Sequence, residues 1–130
     1  MTDFGDSFSL SASGMKAQAQ RLRYVSENIA NADTPGYHRK LTEFKQVMED
    51  GGATGKVELG KVDLDRSDLK QIYDPGNPLA DANGYYDGSN VDLVVEIADA
   101  REAQRSYEAN IKMFDQTRQM SSALLDILRR

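Results

Sequence analysis

The residues with chemical potential in this chain are few and poorly matched to one another. His38 is the only histidine, set directly after a turn and beside Arg39 and Lys40. Acid–base work needs a positioned partner, and none is suggested by spacing, so His38 reads as solvated or packed against a loop. Asp81, Asn83 and Asp87 invite a calcium reading, but no acidic residue closes the loop after a central glycine. They read instead as turn residues. Asp63, Asp65 and Asp68 alternate with Arg66 and Lys70 as on an exposed strand face. The chain has no cysteine, which removes disulfides, thiolate zinc sites and a cysteine nucleophile. Its glycines form no phosphate-cradling pattern. Catalytic residues, cofactor sites, metal ligands and a small-molecule substrate are therefore not expected.

The elements that would carry any site are more telling. Phe8, Met15, Leu22 and Ile29 recur every seven residues, widened by Ala12, Ala19 and Val25. Such a row lines one face of a helix and favours packing along another helix. Near the other end, Leu93, Ile97, Ala100, Tyr107, Ile111, Phe114, Leu125 and Leu128 follow steps of three and four, broadened by Met113, Met120, Leu124 and Ile127. Gln104 and Arg118 interrupt the row, so it is no continuous zipper. Neither Gly nor Pro occurs from Val91 to Arg130, which permits a helix on the order of 50–60 Å long. Ser89 or Asn90 would serve as its N-cap, with Asp92 and Glu96 near the positive end of the helix dipole.

Between the helices the composition changes. Asp33-Thr34-Pro35-Gly36-Tyr37 stops the first helix, since proline disfavours helical geometry at Thr34 and Pro-Gly signals a type II turn. Leu41, Phe44, Val47 and Met48 form either a short amphipathic helix or an extended pad. Asp50 to Gly55 reads as a flexible loop. Val57 and Leu59, then Val62 and Leu64, alternate like two half-buried strands or one bulged at Gly60. A further strand surrounds Leu69 to Tyr73, followed by turn residues through Gly88.

The chain is thus expected to be mainly α: long terminal helices packed as a coiled-coil-like pair, parallel or antiparallel, around a small β-rich insert. The divisions fall at residues 1–34, 35–89 and 90–130. With 130 residues, 39 % hydrophobic content and no Trp, the core is modest and cannot cover both stripes. The assembly face is expected at Phe8, Met15, Leu22, Ile29, Leu93, Ile97, Tyr107, Ile111, Phe114, Leu124 and Leu128. A net charge of −5 argues against nucleic-acid binding. Acids and bases number 10 and 7 in residues 35–90 and 11 and 9 elsewhere, so no segment is a polyelectrolyte tail. The first thirty residues hold no continuous apolar stretch, so neither a cleaved signal peptide nor membrane insertion is expected.

Asn28-Ile29-Ala30-Asn31-Ala32-Asp33-Thr34-Pro35-Gly36-Tyr37 closely resembles the NxANxxTPGY signature of bacterial flagellar rod and hook proteins. The Tyr73–Pro78 and Ala80–Tyr85 blocks are similar to the middle of its C-type proximal rod branch. Asn90 to Asn110 resembles that branch's C-terminal helix, NVDxVxEM…SRAYEANV, whereas Asp50 to Lys61 matches poorly. The resemblance implies a structural subunit of the basal-body proximal rod, a drive shaft in the periplasm that transmits torque. It implies export by the flagellar type III apparatus, and terminal helices largely disordered until assembly. The partners would be copies of itself and other proximal and distal rod proteins, with the membrane-ring or export-gate base as a further neighbour. Asn28, Asn31, Thr34, Pro35, Gly36 and Tyr37 would form the joint between helix and insert. A soluble helical export chaperone or adaptor, clamping one client helix, is the alternative.

Overall fold

The computed structural model describes residues 2–130. Two helices dominate: α1, Thr2–Ala30, and α2, Leu93–Leu128. They lie antiparallel, because Phe8 meets Phe114, Arg21 meets Glu102 and Asn28 meets Glu96. This settles the orientation that the periodicity leaves open.

The residues buried between the helices are small or polar. Ser11, Gly14, Ala17, Val25 and Asn28 line α1, and Glu96 and Ala103 line α2. Small side chains let two backbones approach closely. A Cβ at Gly14 would sit 2.7 Å from Asn110 Oδ1, so the Asn110 side chain would have to shift to admit a larger residue there. Near the far end, the Phe8 and Phe114 rings pack with centroids 4.8 Å apart, tilted by 58°, a favourable aromatic geometry.

The insert is three separate antiparallel ladders rather than one sheet. β1, Lys40–Leu41, pairs with β4, Asp63–Leu64. β2, Phe44–Glu49, and β3, Gly52–Leu59, form a hairpin that lies along α1. β5, Gln71–Tyr73, pairs with β6, Tyr85–Asp87.

Several local readings change. Phe44, Val47 and Met48 are extended, and the irregularity falls between Gln46 and Met48 in β2 rather than at Gly60. Asp50–Gly55 is no loose loop. Asp50 and Gly51 both take positive φ, 50° and 78°, the conformation of a tight two-residue hairpin turn for which Asp-Gly is well suited. Tyr85 and Tyr86 belong to a strand, not to the turn run.

Candidate assembly site

The joint is built around Asn28, whose side chain is 1 % exposed at the end of α1. Its Oδ1 accepts from the Tyr37 hydroxyl and from the Lys40 backbone N–H, each at 2.8 Å. Its Nδ2 donates to Lys40 O at 3.1 Å and to Glu96 Oε2 at 3.4 Å. One amide therefore ties the helix, the turn and the second helix together. Asn31 Nδ2 donates to Glu27 O, and its Oδ1 accepts from Thr34 Oγ1.

Thr34 to Tyr37 makes the turn that Pro35-Gly36 signals, closed by Tyr37 N–H donating to Thr34 O. Gly36 has φ +73° and donates its N–H toward Asp87 O and Gly88 O. That positive φ is the third position of a type II turn, which strongly favours glycine. The six motif residues are thus brought into one continuous structure.

Two residues of this joint were not assigned to it by the sequence, where Glu96 served only the helix dipole and Arg39 had no role. Glu96 is 0 % exposed, and Arg39 Nε donates to its Oε1 at 2.7 Å. Arg39 also reaches Asp65 at 3.6 Å and Asp99 at 3.7 Å. Burial is the largest single influence on Arg39 and disfavours its cation, but the hydrogen bond and charge of Glu96 together with those of Asp65 outweigh it and hold the pKa above the ordinary value. Glu96 lies seven residues before Ala103 on the row facing α1, a row with too few large apolar residues to be marked in the sequence. A charge on an inward row demands a partner, and Arg39 follows the turn.

Asn90 does not cap α2. The cap is Asp92, accepting from Val94 N–H at 3.0 Å. Asn90 Oδ1 instead accepts from Arg39 N–H at 2.7 Å, and its Nδ2 donates to Asp65 O. Ser89 Oγ donates to Ala32 O. At the rim, Lys40 Nζ bonds Glu27 at 2.6 Å. That bond lowers the Glu27 pKa and raises that of Lys40. Burial raises the Tyr37 pKa.

The remaining candidates for chemistry are committed to folding. His38 Nδ1–H donates to Asp65 O at 2.9 Å. Asp81 Oδ1 accepts from the Asn83 and Tyr85 N–H groups at 2.9 and 3.0 Å.

Phe8, Met15, Leu22, Ile29, Tyr107 and Phe114 are half-buried by the helix pair and hairpin. Leu93, Ile97, Ile111, Leu124 and Leu128 are exposed by 37–67 %. Val94, Met113, Met120 and Ile127 join them, at 56–77 %. Apart from the Phe8–Phe114 contact, the residues that α2 buries are small or polar, Glu96 and Ala103, and many of its large apolar side chains are left exposed.

An antiparallel helix pair, a turn-locked polar joint and an outward apolar face define a helical structural protein whose working chemistry is packing. Residues 9–38 match the flagella basal body rod protein family, and residues 82–127 match the flagellar basal body rod FlgEFG protein C-terminal family. The chain is 43 % identical over 127 residues to the flagellar basal-body rod protein FlgC of Agrobacterium fabrum, covering 92 % of this chain and 91 % of that one. It is 39 % identical over 119 residues to the FlgC of Salmonella typhimurium, covering 87 % and 89 %. It is 34 % identical over 149 aligned positions to the FlgC of Bacillus subtilis, covering 98 % and 99 %. The chain belongs to the flagellar basal-body rod protein family. The chaperone or adaptor alternative finds no support in these relatives.

Proposed function

We propose that this chain is a structural subunit of the proximal rod, set in the periplasm and delivered by the flagellar type III apparatus. Its α1–α2 pair is the unit that packs along the shaft. The observation that carries this reading is the inverted distribution of side chains on α2. Ala103 and Glu96 face the chain's own partner helix, while Leu124, Ile127 and Leu128 face outward.

Burying those side chains against neighbours yields roughly 25 cal/mol per Å² of apolar surface, offset by the ordering of mobile segments. A contact between non-identical surfaces does not close on itself and propagates as a helix, through which torque passes. Copies of this chain and other proximal and distal rod proteins supply the neighbours, with the membrane-ring or export-gate base at the shaft's foot. The assembly face is Phe8, Met15, Leu22 and Ile29 of α1 with Leu93, Ile97, Tyr107, Ile111, Phe114, Leu124 and Leu128 of α2. The chain works without catalysis.

Leu124→Asp tests this directly, because Leu124 lies on the exposed apolar part of α2, at 38 % exposure. Cells carrying it should export the subunit yet lack rods and motility. Normal motility would refute the assignment of this face.

A further inference from the structure

The face of α2 turned away from α1 carries charge that the protomer leaves unpaired. At roughly 100° per residue, Arg101 and Arg105 fall within about 20° of Val94, on the side opposite Ala103. Both arginines are exposed and stand four residues apart, a like-charge spacing that destabilises a helix. Among the described residues neither forms an ion pair, because the adjoining acid, Glu102, is held by Arg21 of α1 at 3.5 Å. Val94 and Ile97, 77 % and 46 % exposed, lie beside them. Together with Ala98 and Glu102, these residues line an open recess of about 580 Å³.

The complementary surface is the tip of the β2–β3 hairpin. Met48 is 58 % exposed there, next to Glu49 and Asp50. Both acids are exposed, and among the described residues neither is in an ion pair or accepts a side-chain hydrogen bond. By contrast Asp63 and Asp81, which also adjoin exposed apolar side chains, are engaged by backbone N–H groups.

Tip and recess cannot meet within one molecule. A Cβ on Gly55 would touch Leu10 at 3.1 Å, and Val57 N–H donates to Ser13 Oγ. The hairpin therefore runs toward the start of α1 as it nears its turn. The recess lies beside the other end, where Asn28 meets Glu96. Leu10 and Asn28 are about 27 Å apart along α1.

We propose that the β2–β3 tip, through Met48, Glu49 and Asp50, docks on the Val94–Arg105 recess of a second copy of this chain. Met48 covers Val94 and Ile97, its flexible thioether chain suiting a shallow site, while Glu49 and Asp50 face Arg101 and Arg105. Each copy keeps one tip and one recess free, so the contact propagates rather than closing a dimer. The inference deepens the rod reading and rests on it only for the setting in which the contact operates.

The chain has no native cysteine, so an engineered disulfide can report the contact. A Cβ at Gly52, beside the tip, meets nothing closer than Glu49 O at 3.7 Å. Gly52→Cys and the exposed Ala98→Cys are made in separate full-length chains, mixed and oxidised. Their mixed disulfide should exceed several-fold that of Gly52→Cys with Gln116→Cys, a site on the same face toward the other end of α2. R101E/R105E in the Ala98→Cys chain should lower the yield several-fold, and Glu49→Lys in the Gly52→Cys chain should then restore it in part. Circular dichroism checks that helix content is unchanged. In cells making both chains, the same crosslink should form between copies.

A mixed disulfide no greater than the Gln116→Cys background, or a yield indifferent to R101E/R105E, would overturn the proposal. So would cellular crosslinks from Gly52→Cys only to a different rod protein. If these failures occur while Leu124→Asp still abolishes rods, the tip contact is wrong and the rod reading survives. If Leu124→Asp cells swim normally, the assembly reading falls on its own evidence.

Discussion

Glu96 on α2 and Arg39 beyond the turn form a 2.7 Å ion pair in which the carboxylate is 0 % exposed. This pair, with Asn28 against the same carboxylate, ties the end of α1 and the segment after the turn to α2. Truncating one partner of a buried pair leaves the other charge unsatisfied, which costs about 3–5 kcal/mol. Arg39→Ala should lower the unfolding free energy by an amount in that range, and Glu96→Gln by less, since Gln keeps hydrogen-bonding capacity. Chemical denaturation followed by far-UV circular dichroism measures both. An Arg39→Ala midpoint equal to wild type would show that the pair does not hold the joint.

Gly36 occupies φ +73° with open space around its Cα. Strain, not collision, is therefore what a side chain introduces. Gly36→Ala should cost about 1–2 kcal/mol, and Gly36→Val more, because a β-branched residue tolerates that region poorly. In cells Gly36→Val should block rod formation while export continues. Basal bodies of normal length would count against the turn as a structural joint.

Stability should fall in acid, and the sign follows from the joint. Glu27 is held below its ordinary range mainly by the Lys40 hydrogen bond, and Asp65 by the Ser67 N–H, then the Ser67 hydroxyl and Arg39. On unfolding both would take up protons near pH 4, so their contribution is complete above that value. It is lost as pH falls through the lowered folded values. Lys40, raised mainly by its bond to Glu27, contributes below the ordinary lysine range and loses its share as pH climbs through the raised value. A Glu27→Gln, Asp65→Asn chain should show a flatter acid limb in a pH series of urea midpoints. An unchanged acid limb would assign the loss to other carboxylates.

Cover is uneven along the helix pair. The end near Asn28 and Glu96 is clasped, whereas α2 beyond Phe114 is increasingly exposed. Amide hydrogen exchange on the dilute full-length chain should be slow around residues 20–30 and 93–105 and fast beyond about residue 115, because local opening tracks the loss of buried contacts. Assembly should slow the fast region. Uniform protection to Leu128 in a dilute monomer would contradict this.

The helices, their stripes and the stop at Pro35-Gly36 were legible because periodicity and turn chemistry are local signals. The buried small-residue seam was not. Ser11, Gly14 and Ala17 carry too little hydrophobicity to mark a face, so Phe8, Met15, Leu22 and Ile29 drew the eye one flank away. The Arg39–Glu96 pair spans 57 positions in sequence, and no local pattern joins its halves. The β2–β3 hairpin was obscured because both strands are largely exposed, leaving the Asp50-Gly51 turn as its clearest mark.

The most direct test is a density map of the assembled rod that resolves side chains on α2. Met120, Leu124 and Ile127, together with Leu93 and Ile97, should each lie in van der Waals contact with a neighbouring subunit. A map in which those residues face solvent, with neighbours touching only the strands between residues 40 and 87, would contradict the account.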